Sequence, residues 1–84
     1  MTFHQAMYYV SSKGNFDRIH EINFAQKDGR LLYTIVPSVF GWSLFRSNGL
    51  LVISGGYSLP QIIKIMFGLG NADCIAGMYA KYKP

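Results

Sequence analysis

WSLFRSNGLLVISGGYSLPQIIKIMFGL, residues 42–69, carries the reading of this chain: a strand, a tight turn, a second strand, and a capped helix folding back over the pair. Asn48-Gly49 sits between two apolar runs. Both residues reach positive φ at little cost, which is what a two-residue type I′ turn requires. A turn there pairs Arg46 with Leu51, Leu44 with Ile53 and Trp42 with Gly55, giving a predicted hairpin over 42–55. One face then carries Trp42, Leu44, Leu51 and Ile53. The reverse carries Phe45 and Val52 among Ser43, Ser47 and Ser54, and Gly55 leaves room for the indole of Trp42.

Ser58 and Gln61 have the spacing of a capping box, in which each side chain satisfies a backbone donor of the other, with Tyr57 and Ile62 as the flanking hydrophobic staple. Pro60 falls in the first turn, where its missing N–H costs nothing. Leu59, Ile62, Ile63, Met66 and Leu69 recur at helical spacing. The pattern predicts a helix over 58–69 whose apolar stripe covers one sheet face, with Gly68 or Gly70 ending it.

Working outward, Asp28-Gly29 lies between Arg18–Gln26 and Leu31–Val36. A two-residue turn there sets Phe24 opposite Tyr33, Ile22 opposite Ile35, Asn23 opposite Thr34 and Ala25 opposite Leu32. Residues 5–11, QAMYYVS, are β-prone and bounded by Lys13-Gly14-Asn15; they read as a strand, although a short helix accommodates the same residues. Beyond the main helix, Asn71 or Asp73 offers a cap for a second short helix through Tyr82, weakened by Gly77. The expectation is a single α+β domain over 1–84: an antiparallel β-meander of four to five strands packed by a C-terminal helix.

Composition narrows the function classes. Half of the 84 residues are apolar and 13 are aromatic, so a packed core is expected rather than disorder. The net charge of +4 is spread along the chain: residues 1–30 hold four basic and three acidic groups, residues 31–84 four basic and one acidic. Such a balance permits an acidic partner without specifying one. The single cysteine, Cys74, excludes an internal disulfide and is expected to be a small buried hydrophobe. Residues 31–63 carry one charge, Arg46, and the flanking uncharged windows of 15 and 17 residues fall short of a spanning helix. A tilted span over Leu31–Phe45 is the membrane alternative to a cytoplasmic protein, and the N-terminus lacks the basic and apolar regions of a signal peptide.

No catalytic motif stands out. His20 and Glu21 are neighbours, so on a strand they point to opposite faces and cannot share a site. No His/Cys/Asp/Glu cluster has metal-ligand spacing, and neither Gly55-Gly56 nor Gly68-x-Gly70 fits a phosphate-binding loop. The expectation is a protein that is not an enzyme and takes no cofactor or metal. Nucleic acid is a candidate partner through Tyr8, Tyr9, Phe45 and Tyr57 as stacking groups, with Lys13, Arg18, Arg46 and Lys64 on phosphates. A protein partner or a second copy is favoured, because Phe45, Val52 and Leu50 with Leu32 and Val36 on the reverse face, and Ile65 and Phe67 off the helix stripe, leave more apolar surface than one small domain covers; Arg46, Tyr8 and Tyr9 join Phe45, Val52, Leu50 and Ile65 as candidate contact residues. The W-x-L, NG, SGGYS and capped-helix pattern of 42–67 resembles, in build, small accessory proteins of phages and mobile elements. That resemblance implies a non-enzymatic inhibitor or regulator that binds a host complex, and it carries no functional residue with it.

Overall fold

The computed structural model describes residues 1–14 and 16–84, Phe16 by its backbone alone. In chain order the elements are α1 (Phe3–Lys13), β1 (Ile19–Ala25), β2 (Leu31–Ser38), β3 (Gly41–Arg46), β4 (Leu51–Tyr57), α2 (Leu59–Phe67) and β5 (Gly77–Tyr82), with short 3-10 turns at Phe16–Arg18 and Ala72–Cys74. The strands form an antiparallel sheet in the order β4-β3-β2-β1-β5. β1 to β4 are a meander. α2 then carries the chain back across the sheet so that β5 pairs with β1. The fold is α+β, as the sequence implies, but α2 is followed by a strand rather than closing the chain.

The core lies between the helices and one sheet face. Ala6 and Val10 of α1 and Leu59, Ile62, Ile63 and Met66 of α2 pack in one cluster with Ile22, Phe24, Tyr33, Ile35 and Leu44. A row of side chains, Ala80, Ile22, Ile35, Leu44 and Ile53, crosses all five strands beneath them. The start of α2 follows its sequence signal: Gln61 N–H donates to Ser58 Oγ at 3.3 Å and Ser58 N–H to Gln61 Oε1 at 2.9 Å.

Two of the expected elements, and the membrane alternative, differ from the structure. Residues 5–11 are helical, not a strand. Gln5 N–H donates to Thr2 Oγ1 at 3.2 Å and Thr2 N–H to Gln5 Oε1 at 2.8 Å, a second capping box that starts α1. Ala6 and Val10, one turn apart, supply its buried face, while β-prone Tyr8 faces solvent at 79 % exposure and finds no sheet to join. Gly14, at φ 78, ends the helix; Asn15, part of the expected break, lies outside the described residues. Residues 77–82 are β5 rather than a helix, because β1 offers a free ladder and Asn71 makes no cap bond; its side chain accepts from the Tyr33 hydroxyl instead. Leu31–Phe45 is not a span but β2, a turn and most of β3. Among the described residues no helix is long and apolar enough to cross a membrane.

The β1–β2 and β3–β4 hairpins use the same turn, and it is not the expected two-residue one. Gly29 N–H donates to Gln26 O and Gly49 N–H to Arg46 O, each at 2.9 Å, while Gln26 and Arg46 N–H donate to Arg30 O and Leu50 O at 2.8 and 2.9 Å. Only the glycines have positive φ, 88 and 84, so each loop is a type I turn closed by a glycine bulge. Asp28 and Asn48 occupy equivalent places: each Oδ1 accepts from the N–H two residues on, Arg30 or Leu50, at 2.9 Å. The Arg30 N–H, helped by its guanidinium, holds the exposed Asp28 carboxyl below its ordinary value of 3.8.

The third turn residue shifts the register by one, and an irregularity in each ladder restores it. Thus Phe24–Tyr33, Ile22–Ile35 and Leu44–Ile53 pair as the sequence predicts, whereas Ala25 meets Leu31 and Phe45 meets Leu51. A one-residue slip exchanges sheet faces. Leu51 therefore joins Phe45 on the outer face, away from the helices, and Val52 packs against the core.

Candidate interaction edge

The far end of the β3–β4 hairpin widens. After Leu44–Ile53 the next pair is Trp42–Tyr57, so Ser54, Gly55 and Gly56 together oppose Ser43. The expected Trp42–Gly55 pairing is displaced by these two extra residues, and Gly56 absorbs the bend at φ 88. Gly55 N–H donates to Ser43 Oγ at 2.9 Å rather than to a strand carbonyl. Two close approaches hold the corner. A Cβ on Gly41, whose φ is 124, would sit 2.5 Å from the Tyr57 carbonyl oxygen, and one on Gly55 would sit 2.9 Å from Ser38 Oγ. Ser38 Oγ in turn donates to Gly41 O at 3.1 Å. The result is an open concavity of about 570 Å³ lined by Ser38–Phe40, Ser43 and Ser54–Gly56.

Its walls are hydroxyls, backbone and two apolar side chains, with no charged or imidazole group among them. Val39 and Phe40, 89 % and 82 % exposed, stand at this end of the hairpin on the β2–β3 turn, whereas Leu50 and Leu51, 59 % and 48 % exposed, lie at its other end, at the start of β4. Tyr57, also exposed, ends the same strand.

The two edges of the sheet differ in kind. At the β5 edge the N–H of Ala80 donates to Tyr9 Oη of α1 at 3.2 Å, and the strand carries Lys81, whose Nζ lies 3.9 Å from Glu21 Oε2 of β1. That edge is covered in part and charged. The β4 edge has only β3 as a described neighbour, and residues 47–63 contain no charged side chain. The outer face divides the same way. Its central row runs Tyr79, Asn23, Thr34, Phe45, Leu51. On the β1–β2 side Thr34 Oγ1 donates to Asn23 Oδ1 and Asn23 Nδ2 to Glu21 Oε2, both at 2.8 Å, a network satisfied within itself. On the β3–β4 side the row is apolar.

Of the residues expected to contact a partner, Phe45, Leu50, Arg46 and Val52 share the β3–β4 hairpin. Leu50 is exposed and Phe45 half-buried on the outer face, but Val52 is turned into the core and the Arg46 guanidinium lies 6.0 Å from the Tyr33 ring. Ile65 is half-buried on α2, and Tyr8 and Tyr9 lie on α1. Tyr9 is engaged by Ala80 N–H and by Lys13 Nζ, 4.9 Å from its ring. The helix tyrosines and Phe45 therefore sit on opposite sides of the sheet. Lys64 Nζ rests 5.9 Å from the Phe3 ring, so the proposed stacking and phosphate groups do not form one track. Cys74 is exposed, against expectation, and His20 is exposed beside a Glu21 already bonded to Asn23. Among the described residues no group of three or more metal-ligating side chains converges.

Val39, Phe40 and Leu51 are surface residues that sequence reasoning missed, and Tyr57, expected as a stacking group, lies at the same strand end as Val39 and Phe40. Val39-Phe40 did carry a signal: an apolar pair held between Pro37-Ser38 and Gly41, where a turn ordinarily takes polar residues. Fold and edge define an α+β domain with helices on one face of an antiparallel sheet and an exposed, uncharged edge at β4. No protein-family model, curated protein or solved structure matches the chain.

Proposed function

We propose that this chain is a non-enzymatic binding protein that acts through protein–protein contact at the β4 side of its sheet. One observation carries the reading: five exposed large apolar side chains, Val39, Phe40 and Tyr57 at one end and Leu50 and Leu51 at the other, mark the length of the β4 side, where residues 47–63 carry no charge, while the opposite edge is covered by Tyr9 and flanked by Lys81 and Lys83. Unpaired strand edges and contiguous apolar surface are what partners add to. The likeness in build to small phage and mobile-element accessory proteins suits an inhibitor or regulator that works by occupying a partner's surface.

The test compares three baits in nuclease-treated extract: the native chain, Leu51→Lys and Tyr79→Lys. Each lysine replaces a partly exposed outer-face residue, at the β4 and β5 edges respectively. A protein retained by the native chain and Tyr79→Lys but lost with Leu51→Lys supports the reading. Equal retention by all three baits, or retention that depends on nucleic acid, refutes it.

A further inference from the structure

We infer that the occupant of the β4 edge is a second copy of this chain, related by a two-fold axis and packed through Phe40, Leu50, Leu51 and Tyr57. The inference rests on the β4 surface proposed above and names its partner. Charge is the first argument. Each copy carries +4, so most approaches of two copies oppose like charges; the edge over residues 47–63 carries none. A neutral apolar patch is complementary to itself, which is the requirement of an isologous contact. Antiparallel placement also sets the two Arg46 ends of β4 at opposite ends of the interface, about 23 Å of strand apart for seven residues.

Closure is the second argument. An open β4 edge meeting an open β5 edge would stack copies head to tail into a filament. The Tyr9 hydroxyl on Ala80 N–H, and Lys81 and Lys83 beside it, obstruct that pairing. β4 against β4 uses the open edge of both copies and ends at two. Size is the third. A standard interface takes roughly 600–800 Å² from each partner, of a total surface of 5105 Å² here. Val39, Phe40 and Tyr57 at one end of β4 and Leu50 and Leu51 at the other spread exposed apolar side chains along the whole strand, so an antiparallel two-fold sets each cluster of one copy against the other cluster of its partner. The bulge at Val52 and the widening at Ser54–Gly56 interrupt a continuous ladder, so side chains rather than a merged ten-stranded sheet make most of the contact.

The experiment uses the purified full chain alone. Sedimentation velocity between about 1 and 200 μM, a range that spans weak to moderate dimers, is run at low and high salt for the native chain, Leu51→Lys, Phe40→Ser and Tyr79→Lys, with circular dichroism verifying the fold of each. The expected result is a dimer insensitive to salt, weakened about tenfold or more by Leu51→Lys and by Phe40→Ser, and unchanged by Tyr79→Lys. Spin labels on single cysteines in a Cys74→Ser background then fix the orientation. Labels at Ser54 should lie close together, and labels at Lys81 about 40 Å or more apart, since five strands at about 4.8 Å spacing separate the outer edges of each copy. A native chain that is monomeric throughout, a dimer that ignores both β4-side variants, or Lys81 labels closer than Ser54 labels would overturn the inference. A monomer whose captured partner is still lost with Leu51→Lys sinks the second copy and leaves the β4 binding surface standing.

Discussion

Replacing Gly41 by alanine tests how the corner that shapes the β4 surface is built. Gly41 sits at φ 124, and an added Cβ would lie 2.5 Å from the Tyr57 carbonyl oxygen and 3.0 Å from the Tyr57 nitrogen. Both are backbone atoms, so no side chain can swing aside. The unfavourable φ alone costs about 1–3 kcal/mol. Relieving the contact separates the Trp42–Tyr57 end of the ladder, and each backbone hydrogen bond lost there adds about 0.5–1.5 kcal/mol. The total is about 3–5 kcal/mol, against about 4–13 kcal/mol for the stability of a domain of 84 residues. Gly49→Ala is the matched control. It also has positive φ, 84, but open space where the Cβ would go, so it should lose only about 1–2 kcal/mol. Urea titration followed by fluorescence of Trp42, the sole tryptophan, reads both variants. If Gly41→Ala falls within about 1 kcal/mol of Gly49→Ala, the close approach of β3 to β4 is not as described here.

Three further substitutions probe the remaining devices. Tyr9→Phe removes the acceptor of Ala80 N–H and should cost about 1 kcal/mol, with faster amide exchange at Ala80 than at β2 or β3; unchanged exchange would mean the hydroxyl does not cover the β5 edge. The Asp28 carboxyl is held below 3.8 when folded, so its contribution is fully present above the unfolded value and fades as pH falls through the lower folded value. Asp28→Asn keeps the Oδ1 acceptor, as Asn48 does in the other turn, but not the charge; it should abolish that acid-range loss and melt slightly lower than the native chain at neutral pH, and the same acid profile in both proteins would contradict the assignment. Gly55→Ala meets only the movable Ser38 hydroxyl, at 2.9 Å, and its φ is not strained, so stability should fall by less than about 1 kcal/mol while self-association at β4 weakens. A large stability loss in the urea titration would show that Ser38 is fixed.

Much of the sheet was legible because its signals are local. Asp28-Gly29 and Asn48-Gly49 mark turns, and the apolar alternation around them fixes Ile22–Ile35 and Leu44–Ile53 even though the turn type differs from the expected one. The capping box at Ser58 is equally local. So was that at Thr2-Phe3-His4-Gln5, the same spacing at the start of α1, where the aromatic run Tyr8-Tyr9-Val10 drew the reading towards a strand. β5 was illegible for a different reason. Nothing within Gly77–Tyr82 distinguishes a short helix from a strand until β1 stands beside it, 52–63 residues earlier in the chain as the pairs Ala25–Gly77 and Ile19–Tyr82 show. The register of Leu51 depended on a bulge that no residue type at Val52 announces, so a core leucine became a surface one.

The position of the open edge follows from that non-local pairing. A four-stranded meander has two edges, β1 and β4, and one further strand can cover only one of them. It covers β1, where Ile22, Asn23 and Phe24 are buried in succession, so both faces of that strand are occupied. β4 stays at the boundary by topology, and a chain under pressure only to fold would blunt it with charge or proline. Here the strand instead carries Leu50 and Leu51 at its exposed start, and its far end gives up regular pairing so that Ser43 faces Ser54–Gly56. Local rules are broken in both halves of one strand, and the second breach adjoins the exposed Val39-Phe40 turn. Departures of that kind concentrate where a surface is used, which makes the β4 side the first place to look for a partner.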